Sequence, residues 1–195
     1  MHFLIKTYSL FFVASAPLIY VALFVAMTPH HTPQQRWELS RKACHIALLI
    51  LLMTAIFGIK LLNLLGVNVD AFRIAGGIVI GRMGLQMLKN IPQTSQTFSE
   101  AMLIVPLAFP MISGPGAISS VLIAQANATT SLESFWVFLA ILLIMATFYG
   151  LFFIAAWSSK FLSPYTLLLL FKLSSIILLA LSVDFIIQGS FGLYT

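Results

Sequence analysis

Cysteine and charge are what this chain has least of. Cys44 is the one cysteine in 195 residues, so no intrachain disulfide can form and the redox compartment cannot be read from it; as a small apolar residue it needs no chemical role. Charged side chains make up 8% of the chain, against roughly 25% in soluble domains, which excludes a water-soluble globule. Five acidic residues face ten Lys and Arg, a net charge of +5. The basic residues are scattered through apolar sequence and form no binding face, so nucleic acid is not an expected partner. His30, His31 and His45 lack metal-ligand spacing such as His-Glu-x-x-His, no Ser/His/Asp or Cys/His set matches in depth, and no Gly-rich phosphate loop is present. The expectation is therefore no enzyme, no metal, no cofactor and no direct use of ATP. With no polar stretch long enough for a soluble domain, 1–195 reads as a single transmembrane domain.

What is present is apolar. Hydrophobic residues are 61% of the chain and mean hydropathy is +1.05. At roughly 20 residues per crossing the chain has room for six or seven helices, and the breakers divide it into six. Span one runs from about Tyr8 to Thr28, stopping at Pro29 and Pro33. Ala14-Ser15-Ala16 resembles a signal-peptide cleavage site, but Pro17 directly after the cut and the apolar run through Val25 argue for a permanent helix. Span two is expected from Ala43 to Leu65, after the polar stretch Gln34 to Glu38, and span three from Ala71 to Leu88. A polar loop from Lys89 to Glu100 follows. Spans four, five and six are expected at Met102 to Ala126, Ser134 to Trp157 and Thr166 to Gln188.

Orientation follows from the side that keeps the cations. Arg36, Arg41, Lys42, Lys89 and Lys160 lie in the odd connections, so both termini are expected on the outer, periplasmic side. Laid against itself at an offset of 98 or 99 residues, the chain places Ser15-Ala16-Pro17 over Ser113-Gly114-Pro115, and Phe72-Arg73-Ile74 over Phe171-Lys172-Leu173. Each half, about 1–90 and about 100–195, holds three spans, so the second enters upside down. The fold class expected is an all-α membrane protein, six transmembrane helices in a three-plus-three inverted repeat, with helices one and four broken. Inverted repeats with broken helices are the pattern of secondary transporters, whose site lies where the halves meet. A break within hydrocarbon leaves backbone groups that need protein, water or ligand as partners. Pro106, Pro110 and Ser113-Gly114-Pro115-Gly116 make the span-four break strong, and the half-helix beginning near Gly116 offers free amides to a carboxylate.

Phe72-Arg73-Ile74-Ala75-Gly76-Gly77 and the stretch from Val105 through Pro106, Pro110 and Ser113-Gly114-Pro115-Gly116 to Ser119 resemble the two signature stretches of the MarC family, and the similarity covers the whole chain. The resemblance implies a bacterial inner-membrane protein of six spans. It also implies, from members described as small neutral amino acid transporters, a secondary transporter of such solutes. One departure stands out: family members carry Asn-Pro-Ile-Gly in span one, where this chain reads Ala16-Pro17-Leu18-Ile19. A drier, narrower half-site is expected there. The alternative reading is a non-transporting membrane scaffold or regulatory protein that keeps the fold.

The expected substrate site is Ser15, Ala16 and Pro17 from span one with Ser113, Gly114, Pro115, Gly116, Ala117 and Ser119 from span four. Amides near Gly116 and Ala117 would meet a carboxylate, and Ser15, Ser113 and Ser119 would supply hydroxyls. Ionisable groups within spans default to functional hypotheses. Arg73 shares a helix face with Asp70, Arg82 is long enough to reach an interface, and Lys172 reads as an anchor. Asp184 is too short to reach out, and an Arg73–Asp184 pair between spans three and six, or a coupling site for sodium or protons, is expected. Gly76, Gly77, Gly81 and Gly84 form a stripe for close helix approach. Membrane lipids, a small solute and a second copy of the chain complete the expected partners.

Overall fold

The computed structural model describes residues 2–15, 17–28, 31–89, 104–105, 107–158 and 164–194, and every element among them is helical. The connection expected from Lys89 to Glu100 lies, beyond Lys89 itself, outside the described residues. So do Ala16, His30, Pro106 and Lys160.

Span one is described as α1 (His2–Ser15) and α2 (Pro17–Met27), on either side of Ala16. Pro17 opens α2 at a position whose missing N–H costs no hydrogen bond. The next helix, α3, runs Pro33–Leu65, starting well before the expected Ala43. Its 33 residues extend about 50 Å at 1.5 Å per residue, well beyond a hydrocarbon core of about 30 Å. The cause is a capping box: Thr32 Oγ1 accepts from the Gln35 N–H at 3.3 Å while Gln35 Oε1 accepts from the Thr32 N–H at 2.9 Å. With Pro33 in the first turn, the box makes the polar stretch helical. Arg36, buried, donates through Nε and Nη2 to the Thr28 carbonyl at 2.9 and 2.6 Å. This closes the end of α2 with a cation where carbonyls lack partners.

α3 ends at Gly66, whose φ of 65° is left-handed and whose following residue, Val67, donates to the Leu62 carbonyl at 3.0 Å. α4 (Val69–Lys89) follows at once. A π-wound turn, α5 (Leu107–Ile112), then leads into α6 (Pro115–Ala126), α7 (Ser131–Ser158) and α8 (Pro164–Tyr194). α7 begins with a second capping box, in which the Glu133 N–H donates to Thr130 Oγ1 at 3.2 Å and Glu133 Oε2 accepts from the Thr130 N–H at 3.3 Å. α8 runs past the expected Gln188. Among the described residues, three stretches are long and apolar enough to cross a bilayer, Pro33–Leu65, Ser131–Trp157 and Ser175–Leu193, and Pro115–Ala126 is apolar but shorter.

α3 packs on α7, α4 on α8, and the half-helices α1, α2, α5 and α6 fill the space between those pairs. Phe11, Ile112, Ile141, Ile144, Phe148 and Phe152 are fully enclosed there. Outside, Ile46, Leu49, Met53, Ile56, Phe57, Leu142, Ile154 and Ile176 are exposed, an apolar surface suited to lipid rather than water. Where α3 meets the end of α7, Trp37, Tyr149, Phe153 and Trp157 stack edge to face or tilted, an aromatic group of the kind found at membrane interfaces. The α4–α8 contact is antiparallel and nearly side-chain-free on one side. A Cβ on Gly77 would lie 2.8 Å from Ile186 Cγ1, one on Gly81 2.5 Å from Ser182 Oγ, and one on Gly84 3.0 Å from Leu179 Cγ. Small residues let the backbones approach, which substitutes for the hydrophobic drive that lipid cannot supply.

Candidate functional site

The break between α5 and α6 is built from a helix that loses its register and restarts. Ser113 donates both its N–H, at 3.0 Å, and its Oγ, at 2.7 Å, to the Ala108 carbonyl. That five-residue closure makes the turn π-wound. Within it Phe109 is extended, at φ −141° and ψ 126°. Gly114, at φ −72° and ψ −179°, is the N-cap of α6 and offers no side chain to it. The first bond of the helix runs from the Ile118 N–H to the Gly114 carbonyl at 2.9 Å. Pro115 has no N–H, so the amides of Gly116 and Ala117 are the donors that a helix start leaves over. The positive end of the α6 dipole lies on the same two residues.

One turn further on, Ser120 Oγ donates to the Gly116 carbonyl at 2.7 Å. Ser119 differs from its neighbours. It is 2% exposed and its Oγ, wholly shielded, has no hydrogen-bond partner. A buried hydroxyl without a partner costs about 1–3 kcal/mol, and this one lies one turn inside the two uncapped amides.

The other half of the site comes from span one. A side chain on Gly116 would collide with the Phe185 ring and lie 2.9 Å from the Ala14 carbonyl oxygen. Ala14 belongs to the last described turn of α1, so the start of α6 meets the backbone just ahead of Pro17. Ser15, 2% exposed, and Pro17 are buried beside them. Gly76 presses on the Pro115 ring, which leaves no room for a side chain there. Thus the two glycines of one signature stretch divide their work, Gly76 seating the break of α6 and Gly77 seating α8.

Of the expected site residues, Ser113, Gly114, Pro115, Gly116, Ala117 and Ser119 lie together with Ser15 and Pro17 in the enclosed centre, while Ala16 lies outside the described residues. The Ser113 hydroxyl proton is already committed to Ala108, leaving Ser119 as the free donor. The expected Arg73–Asp184 pair is corrected. Arg73 Nη1 donates to Asp70 Oδ1 at 2.9 Å in the first turn of α4, a partner on its own helix face. Asp184 is exposed on the outer side of α8 and accepts from Gln188 Nε2 at 2.7 Å. Lys172 Nζ donates to the Leu88 carbonyl at 2.6 Å, an anchor at the end of α4. Two neighbours of the site were not legible in the sequence: Ala14 acts through its carbonyl, and Phe185 arrives from a helix far along the chain. No group of three metal-ligating side chains occurs among the described residues.

With this geometry in place, likeness to other proteins adds the family. The profile described as MarC family integral membrane protein matches residues 1–194. The UPF0056 membrane protein YhcE of Escherichia coli is 30% identical over 187 residues, which cover 91% of this chain and 87% of YhcE. A membrane protein of the same group from Methanocaldococcus jannaschii is 29% identical over 100% of this chain and 89% of its own. One from Buchnera aphidicola is 29% identical over 89% and 84%. No solved structure matches the chain. The chain belongs to the MarC family of integral membrane proteins.

Proposed function

Taking that membership as premise, we propose that this chain is a secondary transporter of small neutral amino acids or similarly small polar solutes, held between the broken helices one and four. The observation that carries the reading is the unpartnered, buried Ser119 hydroxyl one turn inside the uncapped start of α6. A zwitterion suits the two ends that meet there: its carboxylate takes the Gly116 and Ala117 amides and the Ser119 hydroxyl, and its ammonium takes carbonyls at the end of α1. Absence of a nucleotide loop leaves facilitated movement or coupling to a sodium or proton gradient. Asp184, on the outer face, is poorly placed to serve such coupling.

Six spans in an inverted repeat underlie the reading. α1 with α2, and α5 with α6, are the broken spans, each long enough only as a pair. Exchange α1 for α5, α2 for α6, α3 for α7 and α4 for α8, and the packing pairs exchange as well. The α1–α6 contact becomes α2–α5, α1–α7 becomes α3–α5, α2–α7 becomes α3–α6, and α2–α8 becomes α4–α6. The α3–α7 and α4–α8 contacts map onto themselves, and the light α6–α7 contact stands outside the scheme. The capping boxes at Thr32 and Thr130 keep the same offset of 98 residues. Such exchange supports rocking of one half against the other, in an inner membrane with both termini on the periplasmic side.

The test is flux of radiolabelled glycine and alanine into proteoliposomes, with and without a sodium or proton gradient. Ser119→Ala removes one hydroxyl and no packing, and is expected to lower uptake at least tenfold with the protein still folded. Uptake equal to the native protein's would remove Ser119 from the site. Absent flux in the native protein, with no thermal stabilisation by either amino acid, would favour the scaffold reading, to which the missing asparagine and glycine of span one already point.

A further inference from the structure

The outer surface of the α4–α8 pair carries two charges where lipid would leave them without partners. On α4 the exposed face is Ile78, Val79, Leu85 and, among them, Arg82. On α8 it is Ile177, Val183, Ile187, Phe191 and, among them, Asp184. Asp184 lies within the apolar stretch Ser175–Leu193, ten residues before the end of α8 at Tyr194. Gln188 gives it one hydrogen bond, and its side chain is too short to reach water. Exposed carboxylates at this depth are expensive, and they face protein or a water-filled space rather than acyl chains.

In one copy the two charges do not meet. Ser182 faces α4, its Oγ donating to the Gly77 carbonyl at 2.7 Å. Asp184 follows two positions later, about 200° around the helix, and so looks away from α4. Yet the two lie at nearly one depth. The register that seats Gly81 on Ser182 and Gly84 on Leu179, with Lys172 at Leu88, sets Arg82 level with residues 178–181. Asp184 is then three to six residues off, about 5 to 9 Å along the axis, a gap narrowed from both sides because each side chain leans toward the start of its own helix.

Equal depth decides what can cover them. Copies inserted in one orientation are related by a two-fold axis along the membrane normal, so each residue meets only residues of its own level, and the interface is self-complementary. A positive and a negative group on one face at one level satisfy that condition twice over. We propose that a second copy of this chain covers the outer face of α4 and α8, with Arg82 of each copy paired to Asp184 of the other within the membrane. Both pairs lie in a surface otherwise apolar, and both are withdrawn from lipid together.

Disulfide crosslinking of Val183→Cys in a Cys44→Ala background, in native membranes, reads the contact, and single-molecule photobleaching of the native chain in lipid bilayers reads association without any variant. Two-step bleaching and a crosslinked dimer are expected. Arg82→Gln or Asp184→Asn is expected to weaken association at least tenfold, as when one partner of a desolvated pair is lost. The double exchange Arg82→Asp with Asp184→Arg is expected to restore it to within about threefold of native. One-step bleaching at all protein densities overturns the proposal. So does crosslinking that none of the charge variants changes, or that the double exchange fails to restore. The readout is association alone, so it stands or falls apart from transport.

Discussion

The two breaks differ in what they offer. Between α5 and α6 the chain spends a π-wound turn, an extended Phe109 and an N-cap without a side chain to expose a helix start. Between α1 and α2 stands Ala16, outside the described residues, with Pro17 opening α2. The first leaves two amides and an unpartnered hydroxyl at a helix start; the second brings the Ala14 carbonyl against Gly116. A helix start thus meets a carbonyl of another helix, and the two offer unlike chemistry because a backbone is polar along its length. The lesson is that backbone alone can set donors beside an acceptor in an enclosed centre.

The harshest way to break this comparison is to force the two ends apart. Gly116→Leu would set its side chain against the Phe185 ring and, 2.9 Å from its Cβ, the Ala14 carbonyl. The ring can move, but the backbone of α1 cannot. Loss of the folded protein, read by thermal melting in detergent, is expected; Gly116→Ala should cost about 1–3 kcal/mol, with only part recovered by Phe185→Ala. Full recovery would mean that α1 does not press on α6. A middle-sized effect separates the two serines of the second break. Ser113→Ala removes the hydroxyl bond to the Ala108 carbonyl that reinforces the backbone closure of the π turn and should cost about 1 kcal/mol, whereas Ser119→Ala, removing an unpaired hydroxyl, should leave stability unchanged or slightly raised. Equal losses in both would show that Ser119 has a structural partner. The smallest effect compares the halves away from their breaks: Thr32→Ala and Thr130→Ala should each cost about 1 kcal/mol or less, seen as faster hydrogen exchange in the first turns of α3 and α7. Protection lost in only one would end the equivalence of the two boxes.

Hydropathy made the spans legible, and it also set what was missed. The shared face of Asp70 and Arg73 and the glycine stripe of α4 follow from local spacing, and they stand where the sequence puts them. The start of α3 did not follow, since Gln34 to Lys42 is too polar to read as span, although Thr32-x-x-Gln35 was a helix-start signal in plain view. Thr130-x-x-Glu133 carried the same signal. The Arg73–Asp184 pair failed because a partner three residues away on one helix needs no long-range contact to form. The approach of Ala14 and Phe185 to Gly116 joins three distant parts of the chain, and no pattern along the sequence encodes such a meeting.

The short turn after α3 carries a consequence for how the protein reaches its membrane. α4 holds Asp70, Arg73, Arg82 and Lys89, four charges within its 21 residues. Gly66, Val67 and Asn68 are all that separate it from α3, whose own apolarity is ample. During synthesis the two must leave the insertion machinery as one hairpin, the strongly lipophilic first arm carrying the reluctant second. Lengthening that turn would therefore strike biogenesis first, stranding α4 outside the bilayer while every contact it makes in the finished protein remained encoded.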